Sequence, residues 1–165
     1  MKGIFIVAFA LISFTASAQD TARVEKPKLY HPEANAQKDI QAAVKQAKKE
    51  NKFVLLQSGG NWCSWCKLFN KTITQDKQLD SMLNANFISY HLNYSDENKN
   101  EAVFAKYGFP QRFGFPVFII LDEKGNRIHT QNSAYLEEGK GYNKKKVMEF
   151  FEAWSPAALD PAQNK

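Results

Sequence analysis

Trp62-Cys63-Ser64-Trp65-Cys66 holds both cysteines of this 165-residue chain, with two residues between them. An apolar, strand-like run, Phe53-Val54-Leu55-Leu56, precedes the pair, and a helix-like segment carrying Cys66, Leu68, Phe69 and Ile73 follows it. A disulfide kept for stability gains by closing a long loop, because the unfolded-chain entropy it removes grows with loop length. A ring closed across two residues stabilises little, and it is expected to be easily reached from solvent. The spacing therefore points to redox chemistry.

Other uses of two close thiols fit the sequence poorly. A structural zinc site needs four ligands, and only His31, His91 and His129 could complete one. His31 lies in a polar leader, and the other two lie inside strand-like segments. Covalent haem attachment requires histidine directly after the second cysteine, and position 67 is lysine. No metal and no organic cofactor is expected.

The beginning of the chain bears on how the thiols read. Lys2 followed by the apolar run Ile4 to Phe14 and by Ala16-Ser17-Ala18 has the form of a cleavable signal peptide, residues 1–18, cut after Ala18. The apolar run is too short for a stable membrane span, so no stable membrane anchor is expected. Export to the periplasm or the exterior allows a thiol pair to stay oxidised. A single pair is no disulfide framework, however, so the fold must stand on its hydrophobic core.

The formal net charge of +5 becomes +4 once Lys2 is removed. Lys48-Lys49 and Lys144-Lys145-Lys146 lie on helix-like segments and read as solvated faces, not as a nucleic-acid footprint. The expected partners are cysteine-containing exported proteins and a thiol–disulfide electron partner, with the chain itself monomeric.

Residues 19–33 are polar, contain two prolines and read as an extended leader. Ala36, Ile40, Ala43, Val44 and Ala47 recur at helical spacing, ending near Asn51. After the cysteine helix come a short helix (Asp76 to Leu83), a strand (Phe87 to Tyr94), a helix (Glu101 to Tyr107) and an aromatic loop (Phe109 to Gly114). Val117-Phe118-Ile119-Ile120-Leu121 is the clearest central strand, followed by a turn at Asp122 to Asn126 and a strand to Gln131. A helix from Asn143 to Trp154 closes the domain, and 155–165 read as a flexible tail. Strands alternating with helices, then a late hairpin, give an α/β fold: a mixed central sheet flanked by helices.

On these motifs the chain resembles the thioredoxin-fold superfamily, and most closely its exported members whose motif reads Trp-Cys-x-Trp-Cys. The resemblance covers 34–154 and rests on Trp62 to Cys66 and on Gly114-Phe115-Pro116-Val117-Phe118. The second motif is similar to the loop in which a cis proline lies beside the redox pair. The resemblance implies a thioredoxin-like fold and a thiol–disulfide oxidoreductase. Cys63, at the start of a helix, is expected to attack substrate, and Cys66, more buried, to resolve the mixed disulfide. Trp62, Trp65, Phe115 and Pro116 are expected to contact the substrate. Phe109 and Phe113 are expected to extend that apolar patch, with at least one phenylalanine of the loop in the core. Two departures stand out. Many members carry a buried acid six residues before the first cysteine, where this chain has Gln57, and Ser64-Trp65 replaces the Gly-Pro common between the cysteines of strong reductants. They leave open a non-catalytic peptide- or protein-binding module with an inert disulfide.

Overall fold

Four strands make the central sheet of the computed structural model, which describes residues 27–162; the signal peptide and cleavage site expected at 1–18 lie outside these residues. The elements in chain order are α1 (Ala36–Glu50), β1 (Phe53–Gly59), α2 (Ser64–Gln75), α3 (Lys77–Asn86), β2 (Phe87–Asn93), α4 (Glu101–Lys106), β3 (Val117–Leu121), β4 (Arg127–Asn132), β5 (Glu137–Glu138), β6 (Gly141–Tyr142) and α5 (Lys144–Ala153). Short 3-10 turns occupy Pro110–Phe113 and Ser133–Leu136.

Side-chain caps set the helix limits. Asn35 accepts the Lys38 amide at the start of α1, and Asn51 ends that helix in the left-handed region with φ 53°. Asp76 closes α2 and opens α3, its side chain accepting from the amides of Gln78 and Leu79. Asn143 caps α5 in the same manner.

The sheet runs in the order β2-β1-β3-β4. β1 and β2 are parallel, with Phe53 opposite Phe87 and Gly59 opposite Asn93. β3 runs antiparallel to both β1 and β4. Because β1 and β3 lie centrally with both faces covered, all their residues are buried, which explains their unbroken apolar runs. Val54, Leu56, Ile119 and Leu121 turn toward α1 and α4, where they meet Ile40, Ala43, Ala47 and Phe104. Phe53, Leu55, Phe118 and Ile120 turn the other way, toward α2, α3 and α5, against Phe69, Ile73, Leu79, Val147 and Phe151.

β1 runs on past its apolar run through Gly59, since Ser58 and Gly59 still pair with Leu92 and Asn93 on β2. The β5–β6 hairpin had no periodic signal, being two residues per strand. Packing also reaches into the leader: Tyr30 is fully buried. Past α5, Ser155 is buried and its hydroxyl donates to the Glu152 carbonyl at 2.9 Å.

Phe118 joins the sheet to α2 through Phe69, ring centres 4.4 Å apart, and reaches Phe150 of α5 at 5.8 Å. Phe118→Ala is expected to cost about 3–5 kcal/mol, as large buried aromatics do when truncated. Urea unfolding of both proteins checks this, and a loss under 1 kcal/mol would contradict the placement.

Candidate active site

Cys63 and Cys66 form a disulfide with an S–S distance of 2.00 Å and Cα atoms 5.3 Å apart. Local chemistry places the bond at a helix start. Cys63 itself caps α2: its amide donates to the Gly60 carbonyl at 3.0 Å, and its sulfur accepts the Cys66 amide at 3.1 Å. One turn later the Cys66 sulfur lies against the backbone of β1 at Gly59. A Cβ there would collide with that sulfur, so the strand must carry glycine at the point of approach.

The pair is less open than its spacing suggested. Cys63 is 4 % exposed and Cys66 0 %. Tyr30 is buried with the two cysteines in one cluster, and Leu29, Trp65 and Phe115 pack against that cluster. The order of burial expected from the sequence, Cys66 deeper than Cys63, is what the structure has.

The aromatic residues fall on two sides. Trp62 is 59 % exposed, and its indole N–H donates to the Tyr94 carbonyl at 2.8 Å. Its ring stands edge-on to Phe115 at 5.6 Å. Phe115 is half-buried among Trp62, Tyr94 and Phe104. The Phe115–Pro116 peptide is cis and leads into β3, with Pro116 buried. On the opposite side Trp65 is half-buried and edge-on to Tyr142 of β6 at 5.6 Å, and the Tyr142 hydroxyl donates to the Trp65 carbonyl at 3.3 Å.

Phe109 and Phe113 were expected to extend the apolar patch, with at least one loop phenylalanine in the core. Neither is core: they are 57 % and 41 % exposed. Phe113 lies under the Arg112 guanidinium, 4.3 Å from its ring centre, and borders a surface hollow with His129 and Tyr135. The loop turns back on itself through the Arg112 side chain, which donates to the carbonyls of Gly108 and Phe109. Of the three loop phenylalanines, only Phe115 packs against the cysteine cluster.

Asn61 and Tyr30 had no clear signal in the sequence, whereas position 57 was marked by the family pattern. Asn61 holds the leader beside the cysteines: its side-chain oxygen accepts the amides of Leu29 and Tyr30, both at 3.1 Å, and its nitrogen donates to the Tyr30 carbonyl at 2.7 Å. Gln57 is buried, and its amide nitrogen donates to the Tyr30 hydroxyl at 2.9 Å and to the Cys66 carbonyl at 3.0 Å. Tyr30 was visible only as an aromatic in an otherwise polar leader. Burial pushes its phenol well above the ordinary tyrosine range.

A model of the thioredoxin-like domain matches residues 40–152. The chain belongs to the thioredoxin-like domain family. The disulphide isomerase from Xylella fastidiosa Temecula1 superposes with a TM-score of 0.67 at 21 % identity, over 76 % of this chain and 95 % of that one. The oxidised C-terminal domain of DsbD from Neisseria meningitidis gives 0.52 at 20 % identity, over 72 % and 95 %. A DsbH oxidoreductase gives 0.52 at 20 % identity, over 84 % and 92 %. At these identities the likeness is one of fold. Among curated proteins, spermatogenesis-associated protein 20 of Rattus norvegicus is 39 % identical over 49 residues, and the chain spans 6 % of its length. The thioredoxin-like fold expected from the two motifs is the one observed.

His91 lies opposite Gln57 on β2 and stands edge-on to Tyr30, ring centres 5.4 Å apart. Burial, with a smaller contribution from His31, holds its imidazole down to about 4. The unfolded chain, with an ordinary histidine, therefore takes up the proton first as pH falls. Stability is full above about pH 6.5 and is lost as pH falls from there to about 4, by up to about 3 kcal/mol. In His91→Asn that part of the slope is expected to disappear. Urea midpoints across the range read it, and parallel wild-type and variant profiles would refute it.

Proposed function

We propose that this protein is an exported thiol–disulfide oxidoreductase that exchanges disulfides with cysteine-containing proteins outside the cytosol, in the periplasm or after secretion. The observation that carries the proposal is the Cys63–Cys66 disulfide at the start of α2, in which Cys63 alone presents surface. On reduction, a Cys63 thiolate there is favoured by the helix dipole and by the Cys66 amide already aimed at its sulfur. That thiolate attacks a substrate disulfide, forming a mixed disulfide and releasing one substrate thiolate. Cys66 then attacks Cys63, freeing the second substrate thiolate and restoring the protein disulfide.

Trp62, Trp65, Phe115 and Pro116 are assigned to substrate contact. Support comes from the exposed Trp62 ring beside Phe115, an apolar surface adjoining the only sulfur with access. Export is supported by the signal-like pattern at 1–18. Among the described residues no helix is long and apolar enough to cross a membrane. An electron partner restores the working redox state, and the protein acts as a monomer without nucleic acid or a resident cofactor.

Insulin reduction coupled to a small dithiol is expected to proceed with wild type and to fall to background with Cys63→Ser. Cys66→Ala is expected to accumulate mixed disulfides with exported proteins. Equal insulin activity in wild type and Cys63→Ser would overturn the assignment.

One observation favours a second function, a binding module with an inert bridge: a disulfide 4 % exposed at Cys63 with Gln57 in place of an acid. The reduction potential separates the two. A value below about −300 mV marks a structural disulfide, and the exchange function predicts a higher one.

A further inference from the structure

Reduction of this disulfide leaves a charge on a sulfur that the fold has buried completely. When an incoming thiolate attacks Cys63 Sγ, a new S–S bond forms there. The Cys63–Cys66 bond breaks, and its electron pair departs on Cys66 Sγ. A thiolate in an apolar, water-free position is costly unless a donor reaches it. The adjoining position on β1 is Gln57, and both of its amide hydrogens are committed, to the Tyr30 hydroxyl and the Cys66 carbonyl.

The orientation of that amide decides what Tyr30 can do. A carbonyl only accepts, so the group facing the Cys66 oxygen must be the Gln57 nitrogen. The same nitrogen faces the Tyr30 oxygen, which therefore accepts. The phenol's own proton is left for another acceptor. The hydroxyl lies at the same point of β1 as the resolving sulfur: a Cβ added to Gly59 would sit 3.0 Å from the hydroxyl oxygen and would overlap Cys66 Sγ. Tyr30, Cys63 and Cys66 form one buried cluster.

We propose that the Tyr30 hydroxyl is the hydrogen-bond donor that stabilises the Cys66 thiolate, a task the buried acid cannot perform here because the chain has none at position 57. The proposal rests on the exchange function above. Tyr30 acts by donating a hydrogen bond and keeps its proton, in line with a phenol that burial makes a weaker acid. In the reverse direction the same bond holds Cys66 as thiolate for its attack on Cys63. Gln57 and Asn61 are positioning residues. Gln57 fills the phenol's acceptor side so that its proton points away, and Asn61 fixes the backbone of Leu29 and Tyr30 with three hydrogen bonds. Ionisable groups near Tyr30 include its chain neighbour His31, His91 on β2, neutral at pH 7, and Tyr142 on β6, whose phenol burial also raises.

The test isolates Cys66 in a Cys63→Ser background and follows its thiolate absorbance in the ultraviolet against pH. Tyr30→Phe, which removes only the hydroxyl, is expected to make Cys66 about tenfold weaker as an acid, the size expected for losing a hydrogen bond to a charged group. With both cysteines present, the same variant is expected to be reduced by a small dithiol about tenfold more slowly. An unchanged Cys66 titration in folded Tyr30→Phe overturns the proposal. Should that variant not fold, Asn61→Ala in the same background frees the Tyr30 backbone with the phenol retained. It is expected to shift the titration in the same direction, and no shift overturns the proposal. The titration does not depend on substrate. If the exchange function is what fails, wild type is inactive on insulin while the Tyr30-dependent shift persists.

Discussion

The contact of the Cys66 sulfur with the bare backbone at Gly59 is the constraint on which the site depends. It requires glycine at the last residue of β1 and a helix that begins at Cys63, one turn ahead of the sulfur. It also brings Cys66 under Gln57, because residues 57 and 59 share the face of β1 that turns toward α2. The sheet makes this approach rigid. β1 is paired on both sides along its length, and its alternate residues anchor two separate core layers. A shift of β1 by one residue would exchange the layers and expose neither cleanly to its helices. The position of the disulfide is thus a consequence of core packing.

An amide where relatives often hold a carboxylate changes the electrostatics of the interior. A buried carboxylate resists ionisation, and its charge state depends on pH and on the redox state of the sulfur beside it. Gln57 has no charge to lose. Its donors are satisfied by a hydroxyl and a carbonyl, so it contributes fixed dipoles at every pH. Tyr30, whose phenol pKa is raised by burial, is neutral at neutral pH, and so is His91 above its lowered pKa of about 4. The polar groups on this side of the disulfide therefore form a neutral network, in which hydrogen bonding takes the part that a titrating acid plays elsewhere.

The sequence was most legible where physics acts locally or with a strict period. The unbroken apolar runs at Phe53 and Val117 revealed strands covered on both faces, and helical spacing located α1 and α5 within a residue or two. The cysteine spacing and the proline before β3 pointed to the disulfide and the cis peptide that the structure has. What escaped was tertiary. Tyr30 lies in a polar, proline-containing leader, where no period marks burial; three bonds from the distant Asn61 hold the backbone of Leu29 and Tyr30, and Gln57 holds the phenol. Asn61 itself has the composition of an ordinary turn. The sequence could not say which of the loop phenylalanines would be covered: the loop closes on Arg112 and leaves Phe109 and Phe113 exposed, while Phe115 is half-buried against the cysteine cluster. The β5–β6 hairpin is too short for any pattern, although its Tyr142 supports both Trp65 and Phe69.

Two segments outside the central sheet thus converge on the cysteines, the Tyr30 arm from one side and the β5–β6 hairpin from the other. Their combined effect is on which bond can react. Thiol–disulfide exchange depends on which sulfur the incoming thiolate can reach. Cys66, clustered with the arm and Trp65, is fully covered, while Cys63 keeps a small opening next in sequence to exposed Trp62. In the proposed exchange this directs attack to Cys63 and the departing charge to Cys66, where the neutral donor network lies. A disulfide that looks symmetric in sequence is made asymmetric by its cover, with access at one sulfur and, under the proposed exchange, stabilisation of the leaving charge at the other.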